Sequence, residues 1–405
     1  MKILHITNSS GGGAGIAAFR LHKALIKVGI QSAYLSTNLS INYKNEVFED
    51  EFFSYKKPSV LKKIVAKLLP SQFLKSQRKL AQVRSDLDCE IATLPFSHYK
   101  MHLHPLVQQA DVINLHWVSG IINYPSFFRT CNKAIVWTLH DMNPFQGLFH
   151  YSGDQVKNSI HVRDFDEEIK NVKAIAIAAV SKGATITPSQ WLLDEAKEAC
   201  FFSQSKKLCI PNSIDLDVFK LQDKIALRKT YGIAEDAFVL LFVAESLDNS
   251  RKGLDLLLES FKYLKAFPIT IMTIGMGEIS GVDFKTIALG KVKTPAKMAE
   301  CYGLADVFIL PSREDNLPNV MLESFACGTP LISFNLGGMK AHVVENRTGL
   351  LADELTGESL AKSIAKFYKT STNYNGGVIR KYAEENFSFE NQAKAYLKVY
   401  TELIN

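Results

Sequence analysis

Short β-branched apolar runs alternate along this chain with longer stretches of helical periodicity, the pattern of parallel α/β structure. In the first half, Ile3–Ile6, Ser32–Leu35, Val112–Leu115, Ile135–Leu139 and Ala174–Val180 read as strands. The pattern restarts in the second half with Phe238–Val243, Ile269–Ile274, Val307–Leu310 and Leu331–Phe334. Between the first two runs, Ile16, Phe19, Leu21, Leu25 and Val28 recur at helical spacing, and Gly29 supplies a stop. Phe389–Leu403 reads as an amphipathic helix through Phe389, Ala393, Tyr396, Leu397 and Tyr400. The turn-forming cluster Pro211-Asn212-Ser213-Ile214-Asp215 interrupts the alternation, so a domain boundary is predicted there.

Composition supports two domains. A chain of 405 residues exceeds what one hydrophobic core usually organises. Hydrophobic residues at 47% and charged residues at 22% exclude a disordered or collagen-like chain. No apolar run is long enough for a spanning helix. The opening MKILHIT runs straight into a strand pattern without the features of a signal peptide, which predicts a cytoplasmic protein. The six cysteines are scattered, without a C-x-x-C pair, as expected of reduced thiols. The net charge of +6 is local in origin: Lys56, Lys57, Lys62, Lys63, Lys67, Lys75, Arg78, Lys79 and Arg84 lie in a stretch without acids, and the rest carries 38 basic against 41 acidic residues.

Three segments can carry chemistry. Ser9-Ser10-Gly11-Gly12-Gly13-Ala14-Gly15 joins the first strand to the first helix, where glycines let the backbone approach a phosphate at a helix N-terminus. A tight turn without ligand is the plainer reading. A nicotinamide dinucleotide site is disfavoured, because the spacing is not G-x-G-x-x-G and the second strand ends in Leu35-Ser36-Thr37 without a ribose-binding acid. The block Pro311 to Ile332 leads from a strand through a loop into a helix and carries Asp315 and Glu323, which alone could be a solvated face. Arg251-Lys252-Gly253 follows a strand, and its two cations can neutralise a diphosphate, although a basic surface turn is common.

Taken in order, these pieces resemble the retaining glycosyltransferases of family 4. They are Gly11–Gly15, Trp137-Thr138-Leu139-His140-Asp141, Thr187-Pro188-Ser189-Gln190-Trp191-Leu192, Ile210–Asp215, Arg251-Lys252-Gly253, Ala305–Ser312, the Asp315–Glu323 block and Gly337-Gly338. The resemblance implies an α/β protein of the GT-B fold, with two facing Rossmann-like domains and a donor cleft between them. The N-terminal, acceptor-side domain would span 1–212 and the nucleotide-sugar-binding domain 213–385, with a terminal helix, 386–405, crossing back to the first. It also implies that Gly12 and Gly13 approach the donor diphosphate, that Arg251 and Lys252 bind it and stabilise the leaving group, and that His140 faces the reacting centre. Asp315, with Asn316 and Leu317, would contact the donor sugar, Glu323 the ribose, and the Gly290-Lys291-Val292 backbone the base. The first acid of the family's E-x7-E motif is Asp315 here, with Glu314 beside it, and either carboxylate can face the donor.

No cofactor is expected beyond the nucleotide-sugar donor, with a UDP-sugar favoured and a GDP-sugar second. The D-x-D pattern occurs at Asp86–Asp88, Asp164–Asp166 and Asp215–Asp217, too often to mean anything, and His98, His102 and His104 are read as surface or acceptor-side residues. Transfer is therefore expected to be metal-independent. The expected acceptor is a lipid-linked glycan or polysaccharide precursor in a bacterium; a soluble sugar acceptor and a catalytically weak nucleotide-binding partner stay open. Nucleic-acid modules are absent. Segment 56–84 places Leu61, Ile64, Val65, Leu68 and Leu69 at helical spacing among lysines, which fits either an anionic membrane surface or a helix packed on the domain with a solvated basic face. If it meets lipid, the protein floats with anionic vesicles at low salt and is released by high salt. No association at low salt would select the packed helix.

Overall fold

The computed structural model describes residues 1–38, 52–54 and 72–405. It resolves into two compact units, one of residues 1–211 with 389–405, the other of 212–388. The first unit holds a seven-stranded sheet in the order β3-β2-β1-β4-β5-β6-β7, built from β1 (Lys2–Ser9), β2 (Gln31–Asn38), β3 (Phe52–Ser54), β4 (Val112–Leu115), β5 (Ala134–Thr138), β6 (Gly183–Thr187) and β7 (Lys206–Cys209). The second holds β10-β9-β8-β11-β12-β13, built from β8 (Phe238–Ser246), β9 (Ile269–Met276), β10 (Lys285–Ala288), β11 (Val307–Leu310), β12 (Leu331–Phe334) and β13 (Gly349–Ala352). Neighbouring strands are parallel in both sheets. Each is therefore a Rossmann-like α/β sheet whose order reverses beside its first strand, between β1 and β4 and between β8 and β11.

The central strands are buried on both faces, as parallel strands covered by helices must be. That is why they read as unbroken apolar runs. Val112–Leu115, Val307–Leu310 and Leu331–Phe334 are strands over the predicted limits. Five strands, β3, β6, β7, β10 and β13, are too short or too polar to be read from the sequence. The first helix runs Gly12–Lys27 and ends before Gly29, whose φ of +80° suits glycine.

One strand assignment is corrected. Ala174–Val180 is not a strand; Ala174–Ile177 closes the helix Ser152–Ile177, and β6 lies further on. The Ala-Ile alternation imitates a strand, but alanine is the strongest helix former. In the helix Ala176 and Ile177 are buried while Ile175 is exposed.

The described part of the basic segment forms the helix Gln72–Val83. Phe73, Leu80 and Val83 pack against a small core that includes Phe96, Leu148, Phe149, Phe165 and Ile169. Lys75, Arg78, Lys79 and Arg84 are exposed. Lys79 pairs with Glu168 at 3.0 Å and lies 4.4 Å from the Phe165 ring centroid. Here the apolar stripe faces protein and the cations face solvent. Lys56–Ser71, including Leu61, Ile64, Val65, Leu68 and Leu69, lies outside the described residues. Among the described residues no helix is long and apolar enough to cross a membrane.

The helix Phe389–Ile404 belongs to the first unit and buries Phe389, Ala393, Tyr396, Val399 and Tyr400 against β-sheet residues such as Val112, Val136 and Ile186. Its phenols end in a buried polar chain. Asn114 Nδ2 donates to Tyr400 Oη at 2.8 Å, and Thr138 Oγ1 donates to Asn114 Oδ1 at 3.0 Å. Tyr396 Oη, 3.0 Å from Thr138 Oγ1, must then be the donor of that pair. Tyr396→Ala removes a buried ring and leaves this chain broken, and is expected to destabilise the first unit by about 3–5 kcal/mol. All three tryptophans, Trp117, Trp137 and Trp191, lie in that unit, so urea unfolding followed by tryptophan fluorescence reads it separately. A loss below about 1 kcal/mol would contradict this role for the terminal helix.

Candidate functional site

In a parallel sheet every strand ends at the same edge, and loops at the reversal of strand order bound the natural crevice for a ligand. In the second unit those are the loops after β8 and β11, which hold Arg251-Lys252-Gly253 and Ser312-Arg313-Glu314-Asp315. Sixty-odd residues separate them in sequence, and the structure joins them closely. Lys252 Nζ is 2.6 Å from Asp315 Oδ2, and Arg251 Nη1 is 3.5 Å from the same oxygen. Arg251 Nη1 also donates to the Glu314 carbonyl at 2.9 Å, and Arg313 N donates to the Arg251 carbonyl at 2.8 Å. The outer face is tied by Arg313, which donates to Asp255 and to the Ser250 carbonyl.

Two glycines explain how the loops come so near. Gly253 has φ +72°, and a Cβ there would lie 1.9 Å from the Pro311 carbonyl oxygen. Gly337 has φ +60°, and a Cβ there would lie 2.4 Å from the Asp315 carbonyl, which accepts from Gly338 N at 3.1 Å. Both are positions where a side chain is excluded by backbone conformation and by space.

Asp315 is buried, with its neighbours Asn316 and Leu317, whereas Glu314 is half-buried. It is Asp315 whose carboxylate engages both cations. Burial alone would raise its pKa; the charges of Lys252 and Arg251 and the Lys252 hydrogen bond outweigh burial and hold it below the usual value. Two cations around one carboxylate leave an excess of positive charge at the sheet edge. On the helix Asn319–Ala326 that follows, Glu323 is buried and its Oε2 accepts from Tyr302 Oη at 3.1 Å. Burial pushes the Tyr302 phenol well up, so it stays a donor. Val292 is half-buried in the loop after β10, near Gly290, whose φ of +60° turns the chain.

In the first unit, Gly12 and Gly13 open the first helix, exposed, with open space where a Cβ would stand; Gly12 has φ +70°. Gly15 does a different job. A Cβ there would sit 2.3 Å from the Ser9 carbonyl, so it allows the helix to close on β1. His140 follows β5 at the C-terminal edge, two strands from β1. Burial lowers its pKa to about 4, against a raising contribution from Asp141.

Around His140 lies a buried polar network that sequence reasoning missed, apart from Asp141 in the quoted Trp137–Asp141 string. Asp141 Oδ2 accepts from His150 Nδ1 at 2.6 Å and from Trp117 Nε1 at 2.9 Å, and its Oδ1 accepts from Asn143 N at 3.0 Å. Burial would raise the Asp141 carboxyl, but His150 and Asn143 hold it low. Beneath this loop the fully buried Lys173 donates to the carbonyls of Asn143 and Gly147 at 2.7 and 2.6 Å, and burial pulls its pKa to about 7. Asp166 Oδ1 accepts from Leu148 N at 2.6 Å. His116 and Trp117 directly after β4 were the available sequence signal, since strand-end residues at the reversal of order are where ligands are met. Among the described residues no cluster of three or more histidines, cysteines or carboxylates is placed to hold a metal ion.

The depressed Asp315 pKa has a consequence for acid stability. Its ion pairs stabilise the second unit fully above the ordinary carboxylate pKa of about 3.9, and that stabilisation is lost as pH falls through the lower folded value. In Asp315→Asn this part of the acid sensitivity disappears, read by hydrogen exchange of peptides from 212–388 between neutral and acid pH. Acid sensitivity equal to that of the unaltered protein would show that the pair does not hold the two loops.

Comparison with known proteins agrees with this fold. Residues 237–370 match the family model of the glycosyl transferases group 1. A D-inositol 3-phosphate glycosyltransferase of Thermobispora bispora is 25% identical over 319 residues, covering 73% of this chain and 71% of that protein. Sucrose-phosphate synthase from Thermosynechococcus elongatus superposes with a TM-score of 0.64 at 16% identity, over 100% of this chain and 99% of that one. HepE of Anabaena, solved in complex with UDP, gives 0.64 at 16% identity over 100% of both chains. At such identity the likeness is one of fold, and the fold is GT-B.

Proposed function

Because residues 237–370 match the family model of the glycosyl transferases group 1, we propose that the protein transfers a sugar from a nucleotide-sugar, with retention at the anomeric carbon. The observation that carries this reading is the Arg251-Lys252-Asp315 cluster at the reversal point of the second sheet. A UDP-sugar is the proposed donor, supported by the Anabaena neighbour solved with UDP and with UDP-glucose; a GDP-sugar is second.

In this reading the excess positive charge of Lys252 and Arg251 receives the donor diphosphate and stabilises the charge that develops as the sugar–phosphate bond breaks. Asp315, with Asn316 and Leu317, meets the sugar. Glu323 accepts from the ribose hydroxyls, Val292 lies by the base, and Gly12 and Gly13 offer backbone N–H groups to the diphosphate. His140 hydrogen-bonds the reacting sugar. As the anomeric carbon gains oxocarbenium character, the acceptor oxygen bonds to it on the face the diphosphate leaves. The departing phosphate oxygen takes the acceptor proton. The protein positions and stabilises, without a metal or other cofactor.

For the acceptor we propose a lipid-linked glycan or polysaccharide precursor at the cytoplasmic face of a membrane, supported by the exposed cations of the 72–84 region. A soluble phosphorylated acceptor is the second reading, favoured by the relatives named D-inositol 3-phosphate glycosyltransferase. Nucleotide release from a panel of UDP-, GDP- and ADP-sugars tests the donor, and adding soluble or lipid-linked acceptors separates the two readings. Lys252→Ala is expected to reduce turnover by roughly 10²–10³-fold, and Glu323→Ala to lose most activity, both with unchanged circular dichroism. Near-normal turnover in both variants would sink the site assignment.

A further inference from the structure

Three histidines within or just after neighbouring strands form one hydrogen-bonded line ending at His140. His5 lies within β1, His116 directly follows β4 and His140 follows β5, and these strands are adjacent in the order β1-β4-β5. Nδ1 of His5 is 2.9 Å from Nε2 of His116, and Nδ1 of His116 is 3.0 Å from Nε2 of His140. The ring planes are inclined by only 31° and 25° along the line. His5 and His116 are buried. Burial, reinforced by the neighbouring imidazoles, lowers both far enough to keep them neutral at ordinary pH.

A neutral imidazole has one N–H and one lone pair. Each ring in the line engages by opposite nitrogens, so both hydrogen bonds must point the same way, and the tautomer of one ring dictates that of all three. The buried end decides the direction. Nε2 of His5 has no hydrogen-bond partner among the described residues. A line pointing inward would place a hydrogen on that nitrogen, a buried N–H without an acceptor, the kind of orphan that is the rarer one among backbone groups. A line pointing outward leaves only a lone pair there, and puts the hydrogen on Nδ1 of His5, of His116 and of His140.

We propose that His5 and His116 are positioning residues that hold His140 as its Nδ1–H tautomer, with the Nε2 lone pair engaged by His116, so that His140 does not serve transfer as a base. The role in transfer rests on the function proposed above; the tautomer does not. The arrangement fits a mechanism in which the departing phosphate takes the acceptor proton, because it withholds the one imidazole lone pair that could compete. It also orients the His140 ring through His116, which His5 holds in turn, before the sugar arrives.

The test begins with the full chain carrying ¹⁵N-labelled histidine, examined by long-range ¹H–¹⁵N correlation at neutral pH, with His140 assigned by its loss in His140→Gln. The expected spectrum shows a protonated Nδ1 and a bare Nε2 for His140. The reverse pattern overturns the proposal. This spectrum needs no donor or acceptor, so an error in the proposed reaction would not disturb it. For the role in transfer, His116→Leu is expected to lower kcat roughly tenfold with little change in donor KM. His116→Asn, whose amide N–H takes the place of Nδ1, recovers most of that loss. Equal kcat for the Leu variant and the unaltered protein, or equal losses in the Leu and Asn variants, would overturn the positioning role.

Discussion

Parallel pairing constrains everything else in this molecule. Because every strand in a sheet runs the same way, every strand delivers its following loop to one edge, and only the strand order decides which loops become neighbours. The reversal between β8 and β11 makes neighbours of Lys252 and Asp315. Without it, two cations and a carboxylate more than sixty residues apart would be isolated surface charges of small energetic value. Brought together and largely buried, they become a charged cluster whose protonation is tuned by its own members.

Glycine makes that closeness possible. Gly253 and Gly337 each press a bare Cα against a carbonyl of the β11 loop, where any side chain would collide. The same logic appears at Gly15 in the first unit, which lets the first helix sit on Ser9. The first unit solves a harder problem, because its edge loop 141–150 is irregular backbone inside protein. Its carbonyls and amides find partners in Lys173 and Asp166 on the helix beneath. Buried ionisable side chains are thus used as hydrogen-bonding groups for loop backbone that lies outside the sheet.

The central strands were legible because burial on both faces demands continuous apolar runs, and Val112–Leu115 or Val307–Leu310 have no other use. The edge strands were not: Lys206–Cys209 and Lys285–Ala288 are half-exposed and carry lysines, so nothing in their composition marks them. Ala174–Ile177 misled for the opposite reason, an alternation that a helix can also bury on one side. At the candidate site, the resemblance of ordered motifs singled out Arg251, Lys252, Asp315, Glu323 and His140, and the structure brings the first three together. That the Asp315 carboxylate engages both cations was not legible, since adjacent residues in a loop can point either way.

By itself the sequence determined the local periods, the turn positions and the order of the motifs, because each depends on residues a few places apart. Tertiary structure alone decided which charges and imidazoles meet. His5 and His116 are 111 residues apart and His116 and His140 are 24 apart, yet they form one line, because β1, β4 and β5 lie side by side. A histidine in a strand has no local partner that reveals its tautomer. Only the neighbouring strands supply the donor or acceptor that settles which nitrogen carries the proton.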